Sequence, residues 1–419
     1  MHANHAAPEP QVPLEQPSLP PPGAGPHLLD VSMFWGATGG VRRVLMAKHE
    51  RLRPLGWRHT VIAPGADGPG LVDCGGVPIP CSGGYRMVMG RARALRQMEF
   101  VAPDLIESAD PYVLAWASLA AAERLQVPAV AFCHSHLPEL AARLLGGPAA
   151  TAGRRGRAAE RWARRYLVNL YRHFDLVMAP SRGMVQRLQA WGVPRVALQP
   201  LGVDCSVFTP CARDTAWRAR LCREQGLAPD TRLLIYTGRF APEKNLQLLA
   251  DAVALLGPGH ALLAVGNGPA APVGEQVRVL PPENDSSQLA RMVASCDAYV
   301  HAGDQETFGL GVLEAMACGT PVVVAGAGGL AELAEEAGLC VDRPRAGSWA
   351  EALDACLSGN NAAQRRTALA RAQAQDWPRV LAQMTRRYTA LIGRGAAAVP
   401  VAPTQALALP LTSRLARQR

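Results

Sequence analysis

The sequence alternates short, continuously apolar runs with glycine-containing turns and amphipathic segments of helical length. A run that stays apolar throughout is typical of a strand buried on both faces, as in a parallel sheet covered by helices. Runs that are wholly or mostly apolar occupy residues 28–35, 57–63, 127–133, 176–179, 232–238, 261–266, 298–301 and 321–325. The pattern therefore predicts an α/β fold with parallel sheets. A solenoid is not expected, because the sequence shows no repeat of about 20–50 residues.

The length of 419 residues exceeds that of one ordinary domain. The strand–helix rhythm lapses between residues 204 and 232, and we place a domain boundary there. We predict two doubly wound, Rossmann-like domains facing across a cleft, with a ligand at the carboxyl ends of their strands. The parts are a disordered Pro-rich tail (1–26), an N-terminal domain (27–204), a C-terminal domain (205–376), a closing helix that packs back on the N-terminal domain (377–391) and a second tail (392–419).

Composition excludes several classes of protein. The chain is 49% apolar and 18% charged, which is typical of a globular protein. No stretch reaches the roughly 18 consecutive apolar residues of a membrane span. The first 26 residues contain eight prolines but neither Lys nor Arg, unlike a secretory signal, and the ten cysteines form no Cys-x-x-Cys pair. We therefore expect a cytoplasmic protein.

The stretch 306–323 is the most informative part of the sequence. It predicts a helix that begins near Gly309 and ends at Gly319, a residue suited to the turn after a helix. The N–H groups of Phe308, Gly309 and Leu310 would surround the helix start, where the helix dipole favours an anion. These three residues are therefore candidates for binding a phosphate.

Two glutamates accompany this helix. Glu314 lies in its second turn and can accept two hydroxyl hydrogen bonds, as from a ribose. Glu306 precedes the helix on a loop from which it can reach a sugar. An exposed helix with two unrelated glutamates would show the same spacing, but it would not account for the whole string.

The string from Glu306 through Glu314 to residue 323 resembles the signature of retaining glycosyltransferases of the GT-B fold, in carbohydrate-active family four. The resemblance implies that Glu314 holds the nucleotide ribose and that Glu306 contacts the donor sugar near its reacting carbon. It covers most of residues 28–391. The lead-in at residues 303–305 is uncommon, so the nucleotide base stays open.

Residues 233–245 give a second match to the same family. A predicted strand runs into a turn at Gly238, and Arg239 and Lys244 follow it. Two cations there can neutralise the diphosphate of a departing nucleotide. The resemblance implies that role for both cations and places Gly238 beside the donor. A solvated turn that opens a helix is the alternative.

A glycine pair, Gly39 and Gly40, joins the first predicted strand to the first helix. Paired glycines allow a ligand to approach the backbone closely, but the Gly-x-Gly-x-x-Gly pattern of dinucleotide sites is missing. The resemblance implies that the pair touches donor phosphate or acceptor. A plain tight turn is the alternative.

His134 directly follows a predicted strand and should face the cleft. The resemblance implies that it contacts the donor sugar, whereas a lone histidine is more often a structural hydrogen-bonding group. Cys133, His134 and His136 could suggest a metal, but neighbours along a strand point to opposite faces. His136 could also contact the acceptor.

The chain has no Asp-x-Asp motif, which glycosyltransferases of the other common fold use to hold a divalent ion. We therefore expect no metal and no cofactor beyond the nucleotide-diphosphate sugar itself, with Arg239, Lys244 and helix dipoles neutralising the leaving group. The resemblance also implies retention, because the departing diphosphate helps to deprotonate the acceptor hydroxyl on the same face of the sugar.

Residues 143–172 carry eight arginines and one acid. On a helical projection Arg157, Arg161, Arg164 and Arg165 share one arc, and the apolar residues 162, 166, 167 and 170 lie on the other side. Such a helix can lie on an anionic membrane, which favours a lipid or lipid-linked acceptor and peripheral attachment to the inner face of the plasma membrane. A surface helix that packs on its own domain is the alternative.

Together these features predict a retaining, metal-independent glycosyltransferase. It would move a hexose, mannose or glucose on family grounds, from a nucleotide-diphosphate sugar to a lipid, lipid-linked or polysaccharide acceptor. The alternatives are an epimerase or a phosphorylase on the same fold, or a non-catalytic nucleotide-sugar binder. Nucleic acid is not an expected partner, because only 5% of the residues are aromatic.

Overall fold

The computed structural model describes residues 25–36, 39–79, 84–146 and 153–393. The predicted tails, 1–26 and 392–419, lie outside these residues except for 25–26 and 392–393.

The first domain is built on a seven-stranded parallel sheet. Its strands are β1 (His27–Val31), β2 (Arg58–Ala63), β3 (Leu71–Asp73), β6 (Leu105–Ser108), β7 (Ala129–Phe132), β8 (Leu176–Ala179) and β9 (Val196–Leu198). A small antiparallel hairpin, β4 (Val77–Pro78) and β5 (Arg86–Met87), stands apart from it. The order in the sheet is β3-β2-β1-β6-β7-β8-β9, so the direction of winding reverses between β1 and β6.

The second domain contains a six-stranded parallel sheet. Its strands are β10 (Arg232–Thr237), β11 (His260–Val265), β12 (Val277–Leu280), β13 (Ala298–His301), β14 (Val322–Ala325) and β15 (Leu339–Val341). The order is β12-β11-β10-β13-β14-β15, and the winding reverses between β10 and β13. In doubly wound sheets a ligand site forms at the carboxyl ends of the strands, beside such a reversal.

Helices cover both sheets. Those of the first domain are α1 (Gly40–Leu52), α2 (Ala92–Val101), α3 (Val113–Leu125), α4 (Leu137–Gly146), α5 (Arg154–Tyr171) and α6 (Arg182–Ala190). The others are α7 (Thr215–Glu224), α8 (Leu246–Leu256), α9 (Ser286–Ser295), α10 (Leu310–Ala317), α11 (Gly328–Ala334), α12 (Ala346–Ser358), α13 (Ala362–Ala374) and α14 (Trp377–Ile392). Short 3₁₀ helices cover Arg53–Leu55, Pro210–Ala212 and Pro242–Lys244.

All eight strands expected from continuous apolar runs are present, but several others were missed. β1 ends at Val31, before its apolar run does, because Trp35 packs in a separate cluster with Leu45 and Val61. β6 was not predicted, and its Glu107 is only 1% exposed. A charged residue inside a central strand requires a buried partner that no local pattern shows.

The partner of Glu107 is Lys48, one of the two lysines of the chain. The Lys48 Nζ atom lies 2.8 Å from Asp30 and 2.9 Å from Glu107, and all three side chains are buried. His59 Nε2 lies 2.7 Å from the other oxygen of Asp30. Burial opposes the charge on Lys48, but the two carboxylates raise the pKa of this lysine above its ordinary value.

The network extends to the last helix, α14, because the hydroxyl of Tyr388 donates a hydrogen bond to Glu107. The start of α14 is held as well, since Trp377 N–H donates to the carbonyl of Val203 at 3.0 Å. Gly202 leaves room for Trp377, because a Cβ on this glycine would lie only 2.4 Å from the indole. Helix α14 therefore leaves the second domain and packs on the first.

We expect Lys48→Met to destabilise the first domain by about 3–5 kcal/mol, because it leaves two buried carboxylates without their cation. The substitution keeps most of the apolar side-chain volume, so lost packing would not account for a large effect. Urea unfolding followed by circular dichroism measures the shift. A variant as stable as the wild type would contradict the network's role, and Tyr388→Phe should have a smaller effect, about 1.5–3 kcal/mol, because it removes one hydrogen bond to a buried carboxylate.

Candidate active site

The loops after β10 and β13 bring Lys244 and Glu306 together. Lys244 closes the 3₁₀ helix Pro242–Lys244, and its Nζ donates a hydrogen bond to Glu306 Oε1. His301, at the carboxyl end of β13, places Nε2 3.3 Å from the same oxygen. The sequence predicted Lys244 and Glu306 as site residues, and the structure brings them into direct contact.

Glu306 is an anion in this arrangement. Burial alone would raise the pKa of its carboxyl, but the charge of Lys244 and the hydrogen bond with His301 hold that pKa well below its usual range. Lys244 is therefore bound to Glu306 in the structure, and its role at a diphosphate stays a prediction. Lys244 and Glu306 in contact can bind two neighbouring groups of one ligand, an anionic group at the lysine and a hydroxyl at the glutamate.

Gly238 and Arg239 form the turn that precedes this pair. Gly238 has φ +145°, and a Cβ there would lie 2.9 Å from the hydroxyl of Tyr236, so this position requires glycine. The Arg239 side chain is about half exposed, at 47%, and its guanidinium lies 3.5 Å from Glu243. An exposed pair of this kind is weak, so a phosphate can compete for Arg239.

Helix α10 begins where the sequence predicted. Gly309 is its N-cap, with φ +107°, and Gly319 follows its end with φ +67°. Phe308 is buried next to this start, and Leu310 is the first residue of the helix. The N–H groups of a first helical turn have no partner within the helix, which suits this end to an anion.

Glu314, in the second turn of α10, is only 5% exposed. Arg43 of α1 donates to both of its carboxylate oxygens, and the Nη1–Oε2 distance is 3.3 Å. Burial raises the pKa of Glu314, and the charge of Arg43 opposes that shift. The predicted ribose-binding residue is thus in contact with a cation from the other domain.

The glycine pair lies opposite α10. A Cβ on Gly40, the first residue of α1, would lie 3.4 Å from Leu310 Cδ1, and one on Gly39 would lie 2.9 Å from the hydroxyl of Tyr85. The amino ends of α1 and α10 therefore meet across the cleft. Their dipoles both favour an anion between them.

His134 follows β7 and lies at the same cleft. Its imidazole stacks on Phe132 with ring centroids 4.2 Å apart, and its carbonyl accepts a hydrogen bond of 3.1 Å from Thr307, the neighbour of Glu306. Burial, with the charge of Lys48, lowers the pKa of His134 to about 3. The imidazole is therefore neutral near pH 7 and can donate or accept a hydrogen bond.

The neighbours of His134 do not form a metal centre. His136 Nδ1 lies 3.0 Å from Arg187 and 3.5 Å from Glu139, while Cys133 is buried with its thiol 3.6 Å from the carbonyl of Ser135. Burial raises the pKa of the Cys133 thiol to about 11. Across the described ranges, no group of three His, Cys, Asp or Glu side chains is placed to hold a metal ion.

The predicted basic surface lies on α5, an element of the first domain that packs against α4. Its arginines Arg157, Arg161, Arg164 and Arg165 are all exposed. Leu167 and Leu170 are buried, which agrees with the alternative that this helix packs on its own domain, whereas Trp162 is 67% exposed and the small residues Ala159 and Ala163 are buried. The part of the chain that the structure describes has no helix long and apolar enough to cross a membrane.

The cleft contains other polar residues that were not predicted from the sequence. His301 could have been found, because it ends a predicted strand just as His134 does. Arg43 could not, because its partner Glu314 is 271 residues away. The same holds for Arg143, which lies 2.8 Å from Asp304, and for Glu332, whose two oxygens accept the first N–H groups of α6 at 2.9 and 3.1 Å.

Two parallel-sheet domains with polar residues facing across a cleft define a GT-B glycosyltransferase fold. The structure of Anabaena HepE in complex with UDP and glucose is similar, with a TM-score of 0.69 and 20% identity over 87% of this chain and 99% of that one. Sucrose-phosphate synthase from Thermosynechococcus elongatus gives 0.69 and 20% over 88% and 99%. The predicted fold class is confirmed.

The chain belongs to glycosyltransferase family 4. Models of Glycosyltransferase Family 4 and Glycosyl transferases group 1 match residues 38–207 and 218–373. A GDP-mannose-dependent alpha-mannosyltransferase of Mycolicibacterium smegmatis is 33% identical over 313 residues, 73% of this chain and 78% of the relative. A GDP-mannose-dependent alpha-(1-6)-phosphatidylinositol dimannoside mannosyltransferase of Mycobacterium tuberculosis is 30% identical over 382 residues, 85% and 94%. The protein is a glycosyltransferase, as predicted.

We expect Lys244→Met to lower kcat/KM about a hundredfold at neutral pH, because a preorganised charge in the site is lost. The wild-type contact depresses the pKa of Glu306, so this residue stays ionised as the pH falls through the usual glutamate range. Removing the cation raises that pKa, and the activity of the variant should therefore fall further as the pH is lowered. Lys244→Arg keeps the charge and is the control; a pH profile of Lys244→Met that parallels the wild type would contradict this account.

Proposed function

We propose that this glycosyltransferase moves mannose from GDP-mannose to a lipid or lipid-linked acceptor, with retention of configuration and without a metal. The observation that carries the proposal is the contact of Lys244, Glu306 and His301 beside His134, at the carboxyl ends of both sheets. The choice of GDP-mannose is supported by two relatives whose names state that donor.

The donor would lie along the cleft from α10 to the end of β7. Glu314 would accept the ribose hydroxyls, and the facing amino ends of α1 and α10 would hold the diphosphate between them. Arg239, exposed beside this space, would place a positive charge near the diphosphate. Its attraction for the diphosphate increases as negative charge develops on the departing nucleotide. This supplies the charge neutralisation that a divalent ion gives in other glycosyltransferases.

The sugar would then lie between Glu306 and His134. Glu306 is ionised and can accept a sugar hydroxyl or stabilise positive charge near the reacting carbon, while the neutral imidazole of His134 orients another hydroxyl. The bond from the sugar carbon to the diphosphate oxygen breaks as the acceptor oxygen attacks from the same side. The departing diphosphate takes the acceptor proton, so the product keeps the configuration of the donor.

An exposed basic and apolar surface of the first domain supports the proposal of a lipid acceptor. We define it as the exposed arginines of α5, Trp162 and the exposed end of α4, where Leu144 and Leu145 are 74% and 67% exposed. Trp and arginine side chains favour the interface of an anionic bilayer, while leucines enter its apolar edge. Arg143, which precedes Leu144 in α4, contacts Asp304 in the cleft, so this surface would adjoin the cleft.

The donor prediction is that GDP release from GDP-mannose exceeds release from UDP-glucose and ADP-glucose by at least about tenfold when a lipid extract is present, because only the correct base and sugar fill the site. Nuclear magnetic resonance of the product should show the α-anomer, and EDTA should leave the rate unchanged. Glu306→Gln, which keeps the side-chain size, should release little nucleotide. Preference for a UDP-sugar would overturn the donor assignment. A product with inverted configuration would overturn the retaining mechanism. Interconversion of free nucleotide sugars would favour an epimerase.

The membrane prediction is that Arg161→Glu, Arg164→Glu and Arg165→Glu together abolish sedimentation with vesicles containing anionic phosphatidylglycerol, since each arginine contributes about 1 kcal/mol near such a surface. The matched control reverses Arg220, Arg223 and Arg366, which are exposed on the second domain and change the net charge equally. Trp162→Ala should weaken binding at high salt, where apolar insertion dominates. Equal loss in both triple variants would indicate a net-charge effect and contradict a defined surface.

A further inference from the structure

The Arg43–Glu314 contact places a cation of one domain on the carboxylate that would bind ribose in the other. Both guanidinium Nη atoms of Arg43 reach Glu314, and the carboxylate side chain is only 6% exposed. A ribose that approaches this buried carboxylate meets the guanidinium at the same two oxygens. The arginine side chain is 42% exposed and can move into solvent, whereas Glu314 is enclosed in α10. Ribose binding therefore requires that Arg43 leave.

The surroundings of Arg43 dispose it toward an anion. Arg42 and Arg43 both lie near the amino end of α1, whose first turn contains no acidic residue. Positive side chains are unfavourable at this end of a helix, because they add to the positive end of its dipole. The amino end of α10 lies opposite, with Leu310 next to Gly40. Glu314 balances this concentration of positive charge in the structure, and a ligand that takes Glu314 must supply another balancing anion.

A nucleotide diphosphate supplies that anion at the required place. The diphosphate is attached to the ribose, and the ribose would lie at Glu314. Arg43 is anchored one turn into α1, so rotation of its side chain moves the guanidinium from the carboxylate toward the helix ends. The planar guanidinium can donate two parallel hydrogen bonds to phosphate oxygens, as it does to a carboxylate.

We infer that Arg43 is a donor-binding residue that exchanges partners: the nucleotide ribose displaces it from Glu314, and its guanidinium then binds the diphosphate. This inference rests on the proposed use of a nucleotide-diphosphate sugar. The exchange also lets the site distinguish a nucleoside diphosphate from a nucleoside. A nucleoside without phosphates breaks the Arg43–Glu314 contact and provides no new partner for the arginine. The diphosphate restores that partner.

The test is isothermal titration calorimetry on the wild-type protein and on Arg43→Gln. Each protein is titrated with two pairs of ligands, GDP with guanosine and UDP with uridine. The affinity of each nucleoside is measured by competition with its diphosphate. For the pair that binds, Arg43→Gln should lower diphosphate affinity about tenfold or more, since hydrogen bonds to a charged group are lost. The same substitution should raise nucleoside affinity, because the competitor for Glu314 is gone. Opposite signs for the two ligands are the expected result.

Two control variants show whether the effect belongs to Arg43 and to its contact with Glu314. Arg42→Gln changes the neighbouring arginine, whose guanidinium lies 5.1 Å from the Trp35 ring centre, and should leave nucleoside affinity unchanged, because Arg43 still contacts Glu314. In a Glu314→Gln background, Arg43→Gln should no longer raise nucleoside affinity, because the contact is already lost.

Other outcomes overturn the inference. A rise in both affinities would make Arg43 only a competitor for Glu314, and a fall in both, or no change in either, would contradict the exchange of partners. If wild-type protein binds neither GDP nor UDP, the proposed donor class itself fails and this inference fails with it. A normal wild-type affinity with an unaltered ratio in Arg43→Gln would leave the proposed function intact and refute only the role of Arg43.

Discussion

The buried ion network around Lys48 is the interaction on which the arrangement of the two domains depends. It neutralises Asp30 and Glu107 inside the first sheet and, through Tyr388, holds α14 on the first domain. Because α14 continues directly from the second domain, this contact helps to set how the two sheets face each other. A buried charge network tolerates few geometries, since each member needs its partner to offset desolvation.

The cleft that results is lined by opposite charges from both domains. Arg43 contacts Glu314, Arg143 contacts Asp304, and Glu332 accepts hydrogen bonds from the start of α6. The Arg143–Asp304 pair is partly exposed, so a charged ligand can replace it at modest free-energy cost. The side chains of the Lys48 network are buried by comparison. The protein therefore combines a fixed connection through α14 with exchangeable contacts at the site.

Local patterns predicted those features whose cause is local. Strands buried on both faces appear in the sequence as apolar runs, and the ends of α10 follow from Gly309 and Gly319, which adopt backbone angles that favour glycine. The prediction failed where a distant partner changes the meaning of a residue. β6 was not predicted, and its Glu107 is neutralised by Lys48, which is remote in sequence. The helical projection grouped Trp162 with the leucines of α5, whereas the tertiary contacts bury Ala159 and Ala163 and leave Trp162 exposed.

The sequence by itself determined the fold class, the family and which residue types stand at the ends of the central strands. These depend on hydrophobic periodicity, on turn chemistry and on short motifs, such as residues 233–245 and 306–323, whose members are close together along the chain. Only the tertiary structure decided that Lys244 contacts Glu306 beside His301 and that Arg43 contacts Glu314. Such pairs join separate loops or separate domains, and the free energy of a buried charge is set by what surrounds it in space and not by its neighbours along the chain.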